Sequence, residues 1–172
     1  QLQEIWESKL EPVYPYRKAG STVEKIDGQL AAPAAPKIGV AKPKVIIPVF
    51  PGTNCEYDTA KAFARAGADP EILVIRNLTP ADVTASCEAL VKAIDNSQIV
   101  MLPGGFSGGD EPDGSAKFIA SFFRSPAVTE AVRSLLQKRD GLMLGICNGF
   151  QALIKLGLVP YGDIREISQY DP

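Results

Sequence analysis

The stretch "GLMLGICNGFQALIKLG", residues 141–157, carries the clearest signal for the fold. Its first six residues form a short apolar run, which is typical of a strand buried in a parallel sheet. The positions from Gln151 to Leu156 have the spacing of a helix. Since Cys147 falls between these two segments, we predict that it occupies a sharp corner between a strand and a helix.

Outward from this corner, the chain alternates between strand and helix patterns from residue 44 onward. The predicted strands cover 45–50, 71–75, 98–102 and 141–146, and the predicted helices cover 57–66, 80–94 and two segments of 114–139 divided at Pro126. Asn54 or Asp58 is the expected cap of the first of these helices. This order predicts an α/β fold with an open, doubly wound and mostly parallel sheet.

Residues 1–43 have a different character. A short amphipathic helix is predicted at 2–10, followed by a piece rich in proline and tyrosine. Residues 20–43 are rich in alanine, proline and lysine and have no sustained periodicity, which favours an extended linker. The chain starts with glutamine and stops without a recognisable final element, so we expect it to be part of a larger protein.

Composition limits the classes of function. The net charge of -2 argues against nucleic acid or an anionic membrane as the main partner. No apolar stretch approaches the roughly 20 residues that span a bilayer, and no signal peptide is recognisable, so we expect a cytoplasmic protein. The three cysteines, Cys55, Cys87 and Cys147, are widely spaced and are expected to be free thiols. Histidine is absent.

Three unusual loops follow predicted strands and should converge at one edge of the sheet, because ligands of open parallel sheets bind beyond the carboxyl ends of the strands. The first is "PGTNCEYD", residues 51–58, which is either a helix-starting loop or a contact with a subunit or ligand. The second, "LPGGFSGGD" at 102–110, lacks the glycine spacing of nucleotide-binding loops. The glycines of this loop are better suited to placing backbone amides close to an oxyanion. The alternative is a plain turn.

The third loop is Gly145-Ile146-Cys147-Asn148-Gly149, which matches GxCxG. Flanking glycines allow a strand to reverse into a helix and expose a nucleophile, as in GxSxG elbows. A helix N-terminus favours the thiolate form of such a cysteine. The backbone N–H of Asn148 and the glycine-rich loop could form an oxyanion hole. The alternative is a buried cysteine at a tight turn, whereas Cys87 lies on the apolar side of a helix and is expected to pack in the core.

Together, "PGTNCEYDTAKAFARAGA", "LPGGFSGGD" and "GICNGFQ" resemble the class I glutamine amidotransferase domain of phosphoribosylformylglycinamidine synthases, over residues 44–165. This resemblance implies a flavodoxin-like fold. The segment "WESKLEPVYPYR" is similar to the end of the synthetase part in the large single-chain form. The implied organisation is a synthetase tail at 1–19, a linker at 20–43 and an incomplete amidotransferase domain at 44–172.

The resemblance also implies a chemistry. Cys147 would attack the side-chain amide of glutamine and form a thioester, and the released ammonia would pass to an ATP-dependent synthetase domain of the same polypeptide. Gly105 and Asn148 would supply the oxyanion-hole amides, while Phe106, Ser107 and Gln151 would bind the substrate. ATP and Mg²⁺ would bind in the synthetase part, with no cofactor or metal in this chain.

The sequence departs from the family in one respect. Family members complete the site with a histidine and a glutamate from a later segment, which this chain lacks. Truncation of a larger protein and a degenerate paralogue are the two explanations, and in both we expect negligible glutamine turnover by the chain alone. An uncovered sheet face would then favour self-association. The alternative functions are a docking domain without catalysis and another cysteine hydrolase with the same elbow.

Overall fold

A computed structural model of the chain describes residues 1–14, 28, 39–109 and 115–168. The chain divides into two compact units, 1–36 and 37–172. In the first unit, helix α1 covers Leu2–Glu7, so the predicted helix at 2–10 ends three residues early, and turns follow. Most of the predicted linker at 20–43 lies outside the described residues.

The second unit is built on a four-stranded sheet. Its strands are β1 (Lys44–Val49), β2 (Asp69–Val74), β3 (Ile99–Leu102) and β4 (Leu142–Gly145). All pairs are parallel, and the order across the sheet is β2-β1-β3-β4. The chain therefore reverses its winding direction between β1 and β3, which creates the kind of crevice in which open α/β sheets bind ligands.

Helices follow the strands in the predicted order. They are α2 (Glu56–Arg65), α3 (Pro80–Asp95), α4 (Lys117–Phe123), α5 (Pro126–Arg133), α6 (Asn148–Leu156) and α7 (Leu158–Tyr161). The predicted break before Pro126 is confirmed. A π-helical segment, Ser134–Lys138, and the four-residue α7 were not predicted, because both are too short to show an apolar periodicity.

Helices cover both faces of the sheet, which confirms the doubly wound α/β architecture. The larger core lies under α3 to α6 and includes Ile46, Val100 and Leu102, whereas α2 covers a smaller cluster around Ile47 and Met101. Along β1 and β3, successive side chains belong in turn to the larger core and to the smaller cluster, because successive side chains of a strand point to opposite faces of the sheet.

Elements of the described residues leave the α2 side of the edge strand β4 partly exposed. Leu142 and Leu144 are in register with Ile99 and Met101 of β3 and therefore share the face on which α2 packs. They are 47% and 44% exposed, and Ile146, just beyond the strand, is 53% exposed. An uncovered apolar face at the sheet edge, which the sequence led us to expect, is therefore present.

The start of α2 differs from the prediction. Cys55 is the N-cap residue, with a left-handed φ of 68° and no side-chain capping hydrogen bond, so neither Asn54 nor Asp58 caps the helix. Backbone hydrogen bonds hold this loop instead: the Asn54 N–H donates to the Gly104 carbonyl at 2.8 Å. The loop is thus tied to the segment after β3.

Candidate active site

Cys147 lies at the corner between β4 and α6, as the sequence predicted. Its φ of 52° and ψ of -111° are unusual for a residue other than glycine, and its side chain is exposed. The Gln151 N–H donates to the Cys147 carbonyl at 2.9 Å and closes the first turn of α6. Backbone conformations of this kind cluster at functional sites, where the surrounding structure holds them in place.

The two glycines that flank Cys147 are required by close backbone approaches. A Cβ at Gly145 would lie 2.6 Å from the Gly149 carbonyl oxygen. A Cβ at Gly149 would lie 2.6 Å from the carbonyl carbon of Leu102, and closer still to its oxygen. The strand can therefore turn into α6 against β3 only if both positions lack a side chain, which is the physical basis of the GxCxG spacing.

The glycine-rich loop after β3 lies directly beside Cys147. A Cβ at Gly104 would lie 3.5 Å from Cys147 Cβ. The loop after β1 joins the same cluster, because the Asn54 N–H donates to the Gly104 carbonyl and the Phe106 N–H donates to the Gly52 carbonyl, both at 2.8 Å. The structure thus brings the three predicted loops to one edge of the sheet.

Several backbone amides of this cluster have no acceptor among the described residues, and those of Gly105 and Asn148 are two of them. Within 39–109 and 115–168, neither the Gly105 N–H nor the Asn148 N–H forms a hydrogen bond. Asn148 is the first residue of α6, where N–H groups have no partner within the helix. Gly105 has a φ of 148°, which a side chain would strain. Unpaired donors next to a nucleophile are what oxyanion stabilisation requires.

A buried polar network at this site was not predicted. The side chain of Asn148 is only 2% exposed, and its Oδ1 accepts a hydrogen bond from the Ser107 N–H at 3.1 Å. Its Nδ2 donates to Gln151 Oε1 at 3.0 Å and to Ser115 Oγ at 3.3 Å. The Ser115 hydroxyl also donates to Gln151 Oε1. The sequence does not indicate that Ser115 belongs to this site, because Ser115 lies 33 residues from Asn148 in the chain.

The predicted substrate-binding residues differ in exposure. Phe106 is 59% exposed, whereas Ser107 is fully buried and its hydroxyl has no partner among the described residues. Gln151 is on the surface of α6 and joins the network through Oε1. Cys87 packs at the edge of the larger core, as predicted, with its sulfur 3.6 Å from Ser125 Oγ.

An ion pair between α5 and the segment after α7 lies outside this cluster. Arg133 of α5 donates from Nε to Asp163 Oδ1 at 2.7 Å and from a terminal nitrogen to Oδ2 at 3.0 Å. These hydrogen bonds and the opposite charges lower the pKa of Asp163 and raise the pKa of Arg133. Over the described part of the chain, no group of three His, Cys, Asp or Glu side chains could hold a metal ion. No helix there has the length and apolarity to cross a membrane.

The sheet, the cysteine elbow and the adjoining glycine-rich loop agree with the result of comparing the chain with known proteins. Residues 42–172 match the model of the CobB/CobQ-like glutamine amidotransferase domain, and the chain belongs to this family. It is 36% identical over 121 residues to the phosphoribosylformylglycinamidine synthase subunit PurQ of Dehalococcoides mccartyi, covering 70% of this chain and 43% of that protein. It is 42% identical over 117 residues to PurQ of Cereibacter sphaeroides, covering 68% and 44%.

The chain spans less than half of the length of these curated relatives. Among solved structures, it is similar to PurLQS from Thermotoga maritima, with 28% identity and a TM-score of 0.46, over 68% of this chain and 45% of that one.

Proposed function

We propose that this chain supplies the glutaminase site of a phosphoribosylformylglycinamidine synthase in purine biosynthesis. The exposed Cys147 on a strained elbow, beside two unpaired backbone amides, is the observation that carries the proposal. The similarity to PurQ subunits supports the assignment to this synthase rather than to another amidotransferase.

In the proposed reaction, the Cys147 thiolate attacks the side-chain carbonyl carbon of glutamine and a C–S bond forms. The carbonyl oxygen becomes an oxyanion that accepts hydrogen bonds from the N–H groups of Gly105 and Asn148. When the C–N bond breaks, the nitrogen takes up a proton and leaves as ammonia. Water then attacks the thioester, which releases glutamate and restores the thiol. Phe106 and Gln151, whose side chains are exposed, form the substrate-binding side of the site, and the fully buried Ser107 holds the loop through its backbone N–H.

The proton transfers need a general base, and the chain contains no histidine. We therefore propose that the base is contributed by residues outside this chain and that the chain alone hydrolyses glutamine negligibly. A diazoketone analogue of glutamine does not need that base to react with Cys147, because its diazo carbon takes up the thiol proton, N₂ leaves and the C–S bond forms. Covalent labelling therefore tests the site independently of turnover.

Ammonia from this site would be used by an ATP-dependent synthetase domain. We propose that this domain belongs to the same polypeptide, as in the large single-chain form of the enzyme, that ATP and Mg²⁺ bind there, and that the reaction occurs in the cytoplasm. The similarity of "WESKLEPVYPYR" to the end of a synthetase part supports the single-chain arrangement.

The uncovered face of β4 supports a further part of the proposal, self-association of the isolated chain. Leu144 and Ile146 line an apolar groove of about 430 Å³ together with residues of α2, including Ala62 and Phe63. Exposed apolar surface at a sheet edge favours association between copies.

The test uses a diazoketone analogue of L-glutamine and peptide mass spectrometry to locate the label. We expect saturable labelling of Cys147, protection by L-glutamine, and loss of this labelling in Cys147→Ser. Cys55→Ser is the matched control, because Cys55 is also exposed and also follows a strand. Equal labelling of Cys55 and Cys147, or no protection by glutamine, would contradict the proposed site.

A second experiment separates catalysis from docking. In the complete synthase, Cys147→Ser should abolish product formation with glutamine but retain it with added ammonia. If both activities survive, the domain acts in docking alone. If both are lost, the substitution disturbs more than the glutaminase site.

A further inference from the structure

The donor and the acceptor of each hydrogen bond around Asn148 can be assigned from the chemistry of the groups. A backbone N–H can only donate, so the hydrogen bond from Ser107 N–H identifies the side-chain atom that faces it as the Oδ1 of Asn148. The other end of the same carboxamide is then Nδ2, which can only donate. Its partner on Gln151, 3.0 Å away, must be the acceptor Oε1. One backbone group therefore sets the orientation of two side-chain amides.

This assignment determines which end of Gln151 is available. Oε1 is occupied by Asn148 and by the Ser115 hydroxyl. In the described part of the chain, Gln151 Nε2 has no acceptor, and the side chain is on the surface one helical turn after Cys147. The end of Gln151 that has no partner among the described residues is therefore a hydrogen-bond donor.

We propose that Asn148 is a positioning residue that acts through Gln151, so that Nε2 of Gln151 is presented to an acceptor oxygen of the substrate, a carbonyl or carboxylate. This inference rests on the proposed glutaminase function and deepens it. Burial of Asn148 protects the network from competing water, which gives each hydrogen bond more weight than it has on the surface.

The network also links this orientation to the glycine-rich loop. Ser107 lies two residues after Gly105, whose N–H is unpaired, and Asn148 holds the Ser107 backbone from across the cluster. The side chain that orients Gln151 therefore also fixes the loop next to Cys147. Substrate binding and the position of the loop depend on the same residue.

The decisive substitution is Asn148→Asp. A carboxylate still accepts from the Ser107 N–H, so the loop stays in place, but it cannot donate to Oε1. Gln151 then turns its Nε2 towards the carboxylate and presents an acceptor instead of a donor. We expect the concentration of the diazoketone analogue that gives half-maximal inactivation to rise by about tenfold or more. The maximal inactivation rate at Cys147 is measured as the second parameter and is expected to fall as well, because the new negative charge lies next to the thiolate and the oxyanion donor of Asn148.

A double-mutant cycle distinguishes this role from a structural one. In a Gln151→Ala background, Asn148→Asp should have no further effect on half-maximal inactivation, because the residue through which it acts is gone. Ser97→Ala is the matched control, since Ser97 is an equally buried polar residue whose hydroxyl donates to the Ile94 carbonyl within its own turn. It should leave both parameters unchanged.

Ser115→Ala is the second variant in case Asn148→Asp does not fold. It removes the other donor to Oε1 from outside the elbow and should raise the half-maximal concentration by about threefold.

The outcomes separate the two proposals. If the unsubstituted chain shows neither saturation by the analogue nor protection by glutamine, the proposed function fails and this inference fails with it. If the unsubstituted chain saturates and is protected, an unchanged half-maximal concentration in the folded variant overturns the inference alone. An effect that persists in the Gln151→Ala background would also overturn it, since Asn148 would then act by another route.

Discussion

Gly149→Ala tests the packing of the elbow, because helix propensity and packing predict opposite results. Alanine is favoured over glycine within a helix by about 1 kcal/mol. At Gly149, however, the new Cβ would lie 2.6 Å from the carbonyl carbon of Leu102 and 2.8 Å from its Cβ, against ordinary contacts of roughly 3.5 Å. The start of α6 must therefore move away from β3 by about 1 Å.

The loss of stability in Gly149→Ala depends on how rigid α6 and β3 are at their contact. Overpacking costs about 1–3 kcal/mol, and the upper end applies here because the atoms that are met belong to a strand backbone that cannot rotate away. After subtraction of the helix-propensity gain, we expect a net destabilisation of about 2 kcal/mol. For a chain of this size, that corresponds to a decrease of about 4–8 °C in melting temperature.

Equilibrium unfolding in urea measures this change. Gly67→Ala is the matched control, because a Cβ at Gly67 meets nothing within 4 Å while its φ of 91° still penalises a side chain. The control should lose about 1 kcal/mol from conformation alone. Stability equal to or above that of the unsubstituted chain in Gly149→Ala would refute the argument that contact with Leu102 requires glycine here.

Three further predictions concern other parts of the molecule. Thr79→Ala removes the side-chain cap of α3 and should lower the free energy of unfolding by about 1 kcal/mol in urea titrations. Asp163 has a lowered pKa in the folded state, so its pairing with Arg133 stabilises the fold above the unfolded pKa and this contribution is lost as pH falls through the folded pKa. Asp163→Asn should accordingly lower the urea midpoint near about pH 7 and have a progressively smaller effect as pH falls below the ordinary aspartate pKa of about 3.9, and a loss that does not shrink below that pH would contradict this. Leu144→Lys should shift sedimentation profiles towards the monomer, whereas Val74→Lys, on the opposite edge strand, should not.

Much of the fold could be predicted from the sequence because its signals are local. Apolar runs and helical spacing identified the four strands and the order of the main helices, and Pro126 identified a helix break. The cap of α2 could not be predicted in the same way. Asn54 has the side chain of a capping residue, but its backbone is bound to Gly104 of a distant loop. A tertiary contact outweighed the local preference.

The sequence alone determined that Cys147 sits at a strand-to-helix corner between two glycines, because that geometry depends on a few consecutive residues. Only the tertiary structure decided what surrounds the corner. Asn148 reaches Ser107 across 41 residues and Ser115 across 33, and these contacts orient Gln151. Local sequence patterns carry no information on contacts between residues so far apart in the chain. Folding of the sheet brings the three loops to one edge. There the donor and acceptor atoms of the side chains decide which residues form hydrogen bonds.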